Sequence, residues 1–268
     1  MLFRSVPFAE WQKPGDPRGA ITLRQLLHMS SGLSHTEGID PNDPQSNLTS
    51  DTTSILFVRG DRPMAASGLA KPLEAKPGTK YEYSSITSLL LSELITRALT
   101  PSPDPKTRAA AYKAFAEERL FKPAGIISAF MEFDSAGTQI GGSIIYMTLD
   151  DWGRFGSLLL DGKGEDGSQA IAPDWLTFLR TPSPTDSGYG GHVWLNRPRS
   201  GPEGAATALF PGKGADSVFA AVGHLGQYVI VSPQDRMVLV RLGKTNDGNL
   251  APVRNALGDV IAAVTKAR

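Results

Sequence analysis

Tyr83 and Ser85 stand two residues apart in Lys80-Tyr81-Glu82-Tyr83-Ser84-Ser85, just ahead of an apolar, helix-forming run. A phenol and a hydroxyl held side by side by a buried helix can carry protons to and from a reacting group. A second segment, Val222-Gly223-His224-Leu225-Gly226-Gln227, sets one imidazole among glycines between two strand-like runs. Glycines there let ligand atoms approach the strand edge, and the Gln227 backbone N–H is a candidate oxyanion donor. Each segment also admits a plainer reading. A tyrosine ahead of a helix packs against it, a serine at a helix start caps it, a lone strand histidine is structural, and Gly226 forms a bulge. Two glycines flanking one histidine shift the balance toward a site.

These residues need elements to hold them. Leu23, Leu26 and Leu27 recur at helical spacing after Thr22, a fitting N-cap, and Gly32 ends the pattern. The Pro/Gly-rich opening through about Ala20 reads as an entering loop. Residues 36–50 are polar and turn-forming, a moderately helical stretch follows from Thr52 to about Ala66, and Lys76-Pro77-Gly78-Thr79 is a turn. Ile86, Leu89, Leu90, Leu91, Leu94, Ile95 and Leu99 make the helix from Ser85 to Leu99 apolar on two faces, so it should be buried. Further helices are expected over Thr107–Leu120, from an Asp150 or Asp151 cap through Leu160, and from Pro173.

After about Gly188 the hydrophobic period falls to two, giving strand-like runs at His192–Leu195, Val218–Val222, Gln227–Val231 and Met237–Leu242. The last three suit an antiparallel meander, and a final helix runs from Leu250 to about Lys266. The expected fold class is α+β, with a mostly helical lobe over 1–187 carrying the Tyr-x-Ser loop and an antiparallel sheet with a C-terminal helix over 188–268.

Composition removes several function classes. Twenty-seven basic residues balance twenty-seven acidic ones without any Lys/Arg-rich block, so no field draws the chain to nucleic acid or anionic membrane. No apolar run reaches the roughly 18 residues of a membrane span, and the chain reads as soluble. The absence of cysteine excludes disulfides, thiolate catalysis and thiolate zinc sites. Four histidines without His-Glu-x-x-His give zinc hydrolysis no support, and no metal or organic cofactor is expected.

Four segments together resemble the beta-lactamase-related serine hydrolases, which include class C beta-lactamases, DD-peptidases, carboxylesterases and nylon-oligomer hydrolases. Ile21-Thr22-Leu23-Arg24-Gln25-Leu26-Leu27-His28-Met29-Ser30-Ser31-Gly32-Leu33 is similar to the family's helix-and-turn signature, and Lys76 through Ser85 to its Tyr-x-Asn segment. Asp150-Asp151-Trp152-Gly153-Arg154-Phe155-Gly156 resembles a further family helix, and Gly223 through Gln227 the Lys-Thr-Gly strand in a His-x-Gly form. The resemblance implies that Tyr83 passes the proton of a serine nucleophile to the leaving group. It implies that Ser85, in place of asparagine, and His224, in place of lysine, line the substrate site beside Gly226. Gln227 would give one oxyanion N–H, and Tyr83 and His224 would meet across one groove. A small ester or amide is the implied substrate.

The family's nucleophile lies in Ser-x-x-Lys at the start of a buried helix, and no serine of these 268 residues has a lysine three positions later. Ser67 and Ser102 each precede a lysine by four, and Ser30 and Ser31 sit in a helix-ending turn. The expectation is therefore a beta-lactamase/transpeptidase-like domain whose amino-terminal strands and nucleophile helix precede these residues, inactive alone. The alternative is a non-catalytic remnant binding a peptide-like or acyl ligand along the Val222–Gln227 edge. Removing a central buried helix should exceed a stability margin of about 5–15 kcal/mol, leaving the face around Leu89–Ile95 partly uncovered.

Overall fold

The computed structural model describes residues 4–38, 45, 50–58, 62–199, 207–246 and 249–267. They form two compact units, Met1–Glu117 with Phe130–Tyr146, and Glu118–Ala129 with Met147–Arg268.

In the first unit, helices α1 (Leu23–Leu27), α2 (Asp51–Thr53), α3 (Met64–Ala70), α4 (Ser85–Leu99) and α5 (Pro105–Ala116) accompany a short antiparallel ribbon, β1 (Phe130–Met131) with β2 (Ile145–Tyr146). Thr22 caps α1 in a reciprocal box with Gln25, which satisfies two otherwise orphaned N–H groups. Ser84 caps α4, whose bounds are those its apolar pattern implies. The stretch from Thr52 is less regular than expected. A π-helical turn, Ser54–Val58, follows α2, and α3 starts only after Pro63, which cannot donate an interior helical hydrogen bond. Residues 59–61 of that stretch, and most of the polar segment before it, lie outside the described ones.

The opening segment is no mere entering loop. Val6 N donates to Ile21 O at 2.9 Å, and Val6, Phe8 and Trp11 join the core formed by Leu26, Leu69, Ile86, Leu89 and Leu90. Trp11 Nε1 donates to Leu69 O at 3.0 Å. The expected uncovered face around Leu89–Ile95 is thus closed at Leu89 and Leu90, both 2% exposed or less, while Ile95 remains 37% exposed. Phe8 and Trp11, from a segment without helical period, share this core, and α3 packs against α4 beside them.

The second unit carries a four-stranded antiparallel sheet in the order β3 (Trp194–Leu195), β4 (Phe219–Gly223), β5 (Gln227–Ser232), β6 (Met237–Arg241). Its helices are α6 (Lys122–Ala124), α7 (Leu149–Asp161), α8 (Pro173–Arg180) and α9 (Leu250–Lys266). The alternation of strand residues decides what each face meets. Ala220, Tyr228 and Ile230 pack with Leu257 and Ile261 of α9. Phe219 and Val231 pack with Leu159 of α7, alongside Leu179 of α8. Helices therefore flank the sheet on both faces, the α+β arrangement read from the sequence.

The units divide differently from the change of period near Gly188. Helices α7 and α8 precede that point in the chain but belong with the sheet, because α7 lies against β5 and β6. The approach is close at Gly156, where a Cβ would meet Val238 Cγ1 at 2.4 Å. The α7 cap also differs from expectation. Thr148 is the N-cap, and Asp151, three residues on, turns its side chain to the chain segment ahead of the helix.

Candidate active site

Tyr83 and Ser85 belong to the first unit, and His224, Gly226 and Gln227 to the second. Each group is built by local hydrogen bonding.

The Tyr83 loop hangs on the turn after α1. Gly78 N donates to Ser30 O at 2.8 Å, Glu82 N to Met29 O at 2.8 Å, and Glu74 N to Gly32 O at 2.9 Å. Gly32 has φ +77°, and a Cβ there would strike Ala75 O at 2.2 Å, so only glycine permits this approach. The helix-and-turn segment and the tyrosine segment, read separately along the sequence, are thus one bonded substructure.

Ser85 is the first residue of α4 and is buried. Its Oγ donates to Glu37 Oε1 at 2.6 Å and its backbone N to Glu37 Oε2 at 2.6 Å. Thr52 Oγ1 donates to the same Oε2 at 2.8 Å, and His35 Nε2 lies 2.7 Å from it and 3.0 Å from Thr52 Oγ1. The His35 side chain is wholly enclosed. Burial pushes the Glu37 carboxyl upward, but the hydrogen bonds from His35, Ser85 and Thr52 outweigh it and leave the pKa below the ordinary glutamate value.

Tyr83 is half-buried, and its phenol is raised above its ordinary value, first by burial and then by the Glu37 charge. Deprotonation to a general base requires a cation, yet the charge acting on it is an anion. Two nearby lysines are engaged elsewhere: Lys80 pairs with Glu74 and Glu82, and Lys71 Nζ lies 2.6 Å from Asp51 Oδ1. In this arrangement the Tyr83 phenol keeps its proton.

In the second unit, β4 ends at Gly223 and β5 begins at Gln227, so His224, Leu225 and Gly226 form the hairpin turn between them. The segment stands between two strands, as read, and only the plainer reading of a histidine within a strand is set aside: Leu225 has φ +56° and Gly226 φ +86°, values that no strand residue adopts. His224 is exposed at this turn.

The turn is clamped from behind. Arg241 donates to Gly226 O, to Gly243 O at 2.6 Å and to Thr245 Oγ1 at 2.6 Å, while Thr245 N donates to Leu225 O at 2.9 Å. The Gln227 side chain donates to Gly243 O at 2.8 Å and accepts from Gly243 N at 2.8 Å. Gln227 thus has a holding role for its side chain beside any role for its backbone N–H.

Sequence reasoning singled out Tyr83 and Ser85 but missed Glu37, which lies in a polar stretch without period, and His35 and Thr52 on either side of that stretch. Their one local signal is a histidine and a carboxylate two residues apart. Among the described residues, no group of three or more His, Asp or Glu side chains could hold a metal ion, and no helix is long and apolar enough to cross a membrane.

The fold is shared with proteins of solved structure. A Bacillus anthracis protein named "putative 6-aminohexanoate-dimer hydrolase" superposes with a TM-score of 0.67 at 20% identity, over 99% of this chain and 67% of that one. A penicillin-binding protein homolog from Caulobacter crescentus gives 0.60 at 13% identity, over 96% of this chain and 76% of that one. EstCE1, a hydrolase with promiscuous acyltransferase activity, gives 0.55 at 16% identity, over 88% of this chain and 71% of that one. At such identities the likeness is one of fold. No curated protein matches the sequence. The family itself is set by the sequence, because the beta-lactamase family model matches residues 5–263, and the chain belongs to the beta-lactamase family.

Proposed function

We propose that these residues serve a serine hydrolase that cleaves a carboxylic ester or small amide through an acyl-enzyme, with the nucleophilic serine and its lysine supplied from outside the 268 residues. The serine oxygen attacks the acyl carbon, and its proton passes by way of Tyr83 to the leaving group. The Gln227 N–H stabilises the oxyanion, while Ser85, His224 and Gly226 line the substrate site. The observation that carries this reading is the bonded substructure of the first unit, in which the turn after α1 holds a Tyr-x-Ser loop at the start of a buried helix. The anionic surroundings of Tyr83 fit the reading, because the arriving lysine is the cation that would lower the phenol.

Histidine in place of lysine at 224 weakens the fixed positive charge that grips a penicillin carboxylate, which favours neutral esters or linear amides over beta-lactams. The test begins with the DNA immediately upstream, read in frame for Ser-x-x-Lys. The protein it encodes is then assayed on short-chain esters and on nitrocefin. Ester turnover that falls about 10²–10⁴-fold in Tyr83→Phe supports the proposal. Nitrocefin turnover matching good esters defeats the specificity, and an upstream stop codon favours the second reading, a remnant that binds an acyl or peptide-like ligand. That reading draws on the lack of Ser-x-x-Lys here.

A further inference from the structure

Glu37 lies outside every motif read from the sequence, yet it joins the groups behind the Tyr83 loop. Its carboxylate receives four contacts, from the Ser85 N–H, the Ser85 O–H, the Thr52 O–H and His35 Nε2. Each of these groups is itself held. Thr52 belongs to α2, capped by Ser50, whose side chain accepts from Thr53 N. The His35 ring is enclosed, with Nδ1 3.7 Å from Asp51 Oδ2, and Ser85 opens the 15-residue helix α4. The Glu37 side chain itself is 27% exposed.

We propose that Glu37 is the positioning residue of the Tyr83–Ser85 loop, engaging both donors of Ser85 so that the serine oxygen can only accept a hydrogen bond from a ligand. An asparagine carboxamide both donates and accepts, so the serine and glutamate pair narrows what that position recognises. The ligand atom meeting Ser85 is an N–H or O–H donor, because Ser85 has no donor left for a bare carbonyl oxygen. The same carboxylate also sets the field at Tyr83. This assignment rests on the reading of Ser85 as a substrate-facing residue, but its test requires no nucleophile.

The 268-residue chain is compared with its Glu37→Gln and Ser85→Ala variants by two readouts. One is hydrogen exchange at the Ser85 amide, and the other is the Tyr83 titration, assigned by its loss in Tyr83→Phe. In Glu37→Gln, Ser85 exchange should quicken about tenfold or more, as expected when a hydrogen bond to a charged group is lost. The Tyr83 midpoint should fall at the same time. Ser85→Ala, which keeps the carboxylate, should leave the Tyr83 midpoint in place. Unchanged exchange and titration in Glu37→Gln overturn the proposal, as does a Ser85→Ala shift equal to that of Glu37→Gln. Should Glu37→Gln fail to fold, Glu37→Asp keeps the charge one methylene further back. Faster Ser85 exchange with the Tyr83 midpoint retained supports the assignment, and unchanged exchange overturns it. Absent ester turnover defeats the hydrolase reading alone and leaves these readouts standing.

Discussion

Asp151 Oδ2 lies 2.5 Å from Ser128 Oγ and 2.7 Å from the Ser128 backbone N. The same oxygen accepts from Ile127 N at 3.0 Å, and Oδ1 accepts from Arg154 at 2.6 Å. One enclosed carboxylate thereby ties the start of α7 to the segment after α6. Asp151→Ala leaves two backbone N–H groups without their acceptor and reduces Arg154 to its partner Glu165. It should destabilise the second unit by about 3 kcal/mol, measured by urea unfolding. A change below about 0.5 kcal/mol would show that water replaces the carboxylate at no net cost.

Two pH windows should separate. Burial, aided by the Arg24 charge, holds His28 down to about 4 from 6.5. The unfolded chain therefore takes up this proton first, and stability should fall as pH drops from 6.5 through 4, by roughly 3 kcal/mol in all. His28→Gln should flatten that stretch of the curve. Asp151, held at about 2 by the Ser128 hydroxyl and its other donors, acts lower down. Its contribution is complete above 3.8 and is lost as pH falls toward 2. Urea midpoints taken from pH 7 to pH 2 on both variants check the assignment, and a His28→Gln curve parallel to wild type would refute the first half.

The β4–β5 turn offers a pair of opposite changes. A Cβ at residue 226 would meet Arg241 Nη1 at 2.9 Å and Leu250 Cδ2 at 3.2 Å, at a φ of +86°. Gly226→Ala should cost about 1–3 kcal/mol. Leu225→Gly removes a branched side chain from φ +56°, and its stability should stay within about 1 kcal/mol of wild type or rise. Thermal melts of the two variants decide this, and the prediction fails if both lose equally.

Gly156 is a third test of packing. Its Cβ would meet Val238 Cγ1 at 2.4 Å and Val229 Cγ1 at 3.0 Å, so α7 must shift off the sheet to accept alanine. Gly156→Ala should cost about 1–3 kcal/mol despite alanine's higher helix propensity. Adding Val238→Ala should recover part of that loss. A double-mutant cycle with no coupling would contradict the contact.

How far the fold was legible depended on the range of the interaction that fixes each element. Helix α4, the three long strands and α9 were readable because burial on one or two faces writes its period into neighbouring residues. The Tyr83 and Ser85 positions came from a local motif and a resemblance. Glu37 could not be found in this way, because it meets Ser85 across 48 positions of chain and sits in a stretch without pattern. Phe8 and Trp11 were missed for a related reason: they sit on a single 3-10 turn, Ala9–Trp11 with Phe8 as its N-cap, too short to repeat a period, so only the assembled core shows them buried. The break at His224–Gly226 was legible as a gap between two strand-like runs, but the positive φ of Leu225 was not, because period-two reading ignores the sign of φ.

The burial of Trp11 against Phe8, with ring centroids 5.0 Å apart, has a practical consequence. Trp152, Trp175 and Trp194 all belong to the second unit, so Trp11 is the lone indole of the first. Replacing those three with phenylalanine leaves a single fluorophore whose red-shift on denaturation reports when the amino-terminal segment peels away from α4, independently of the sheet.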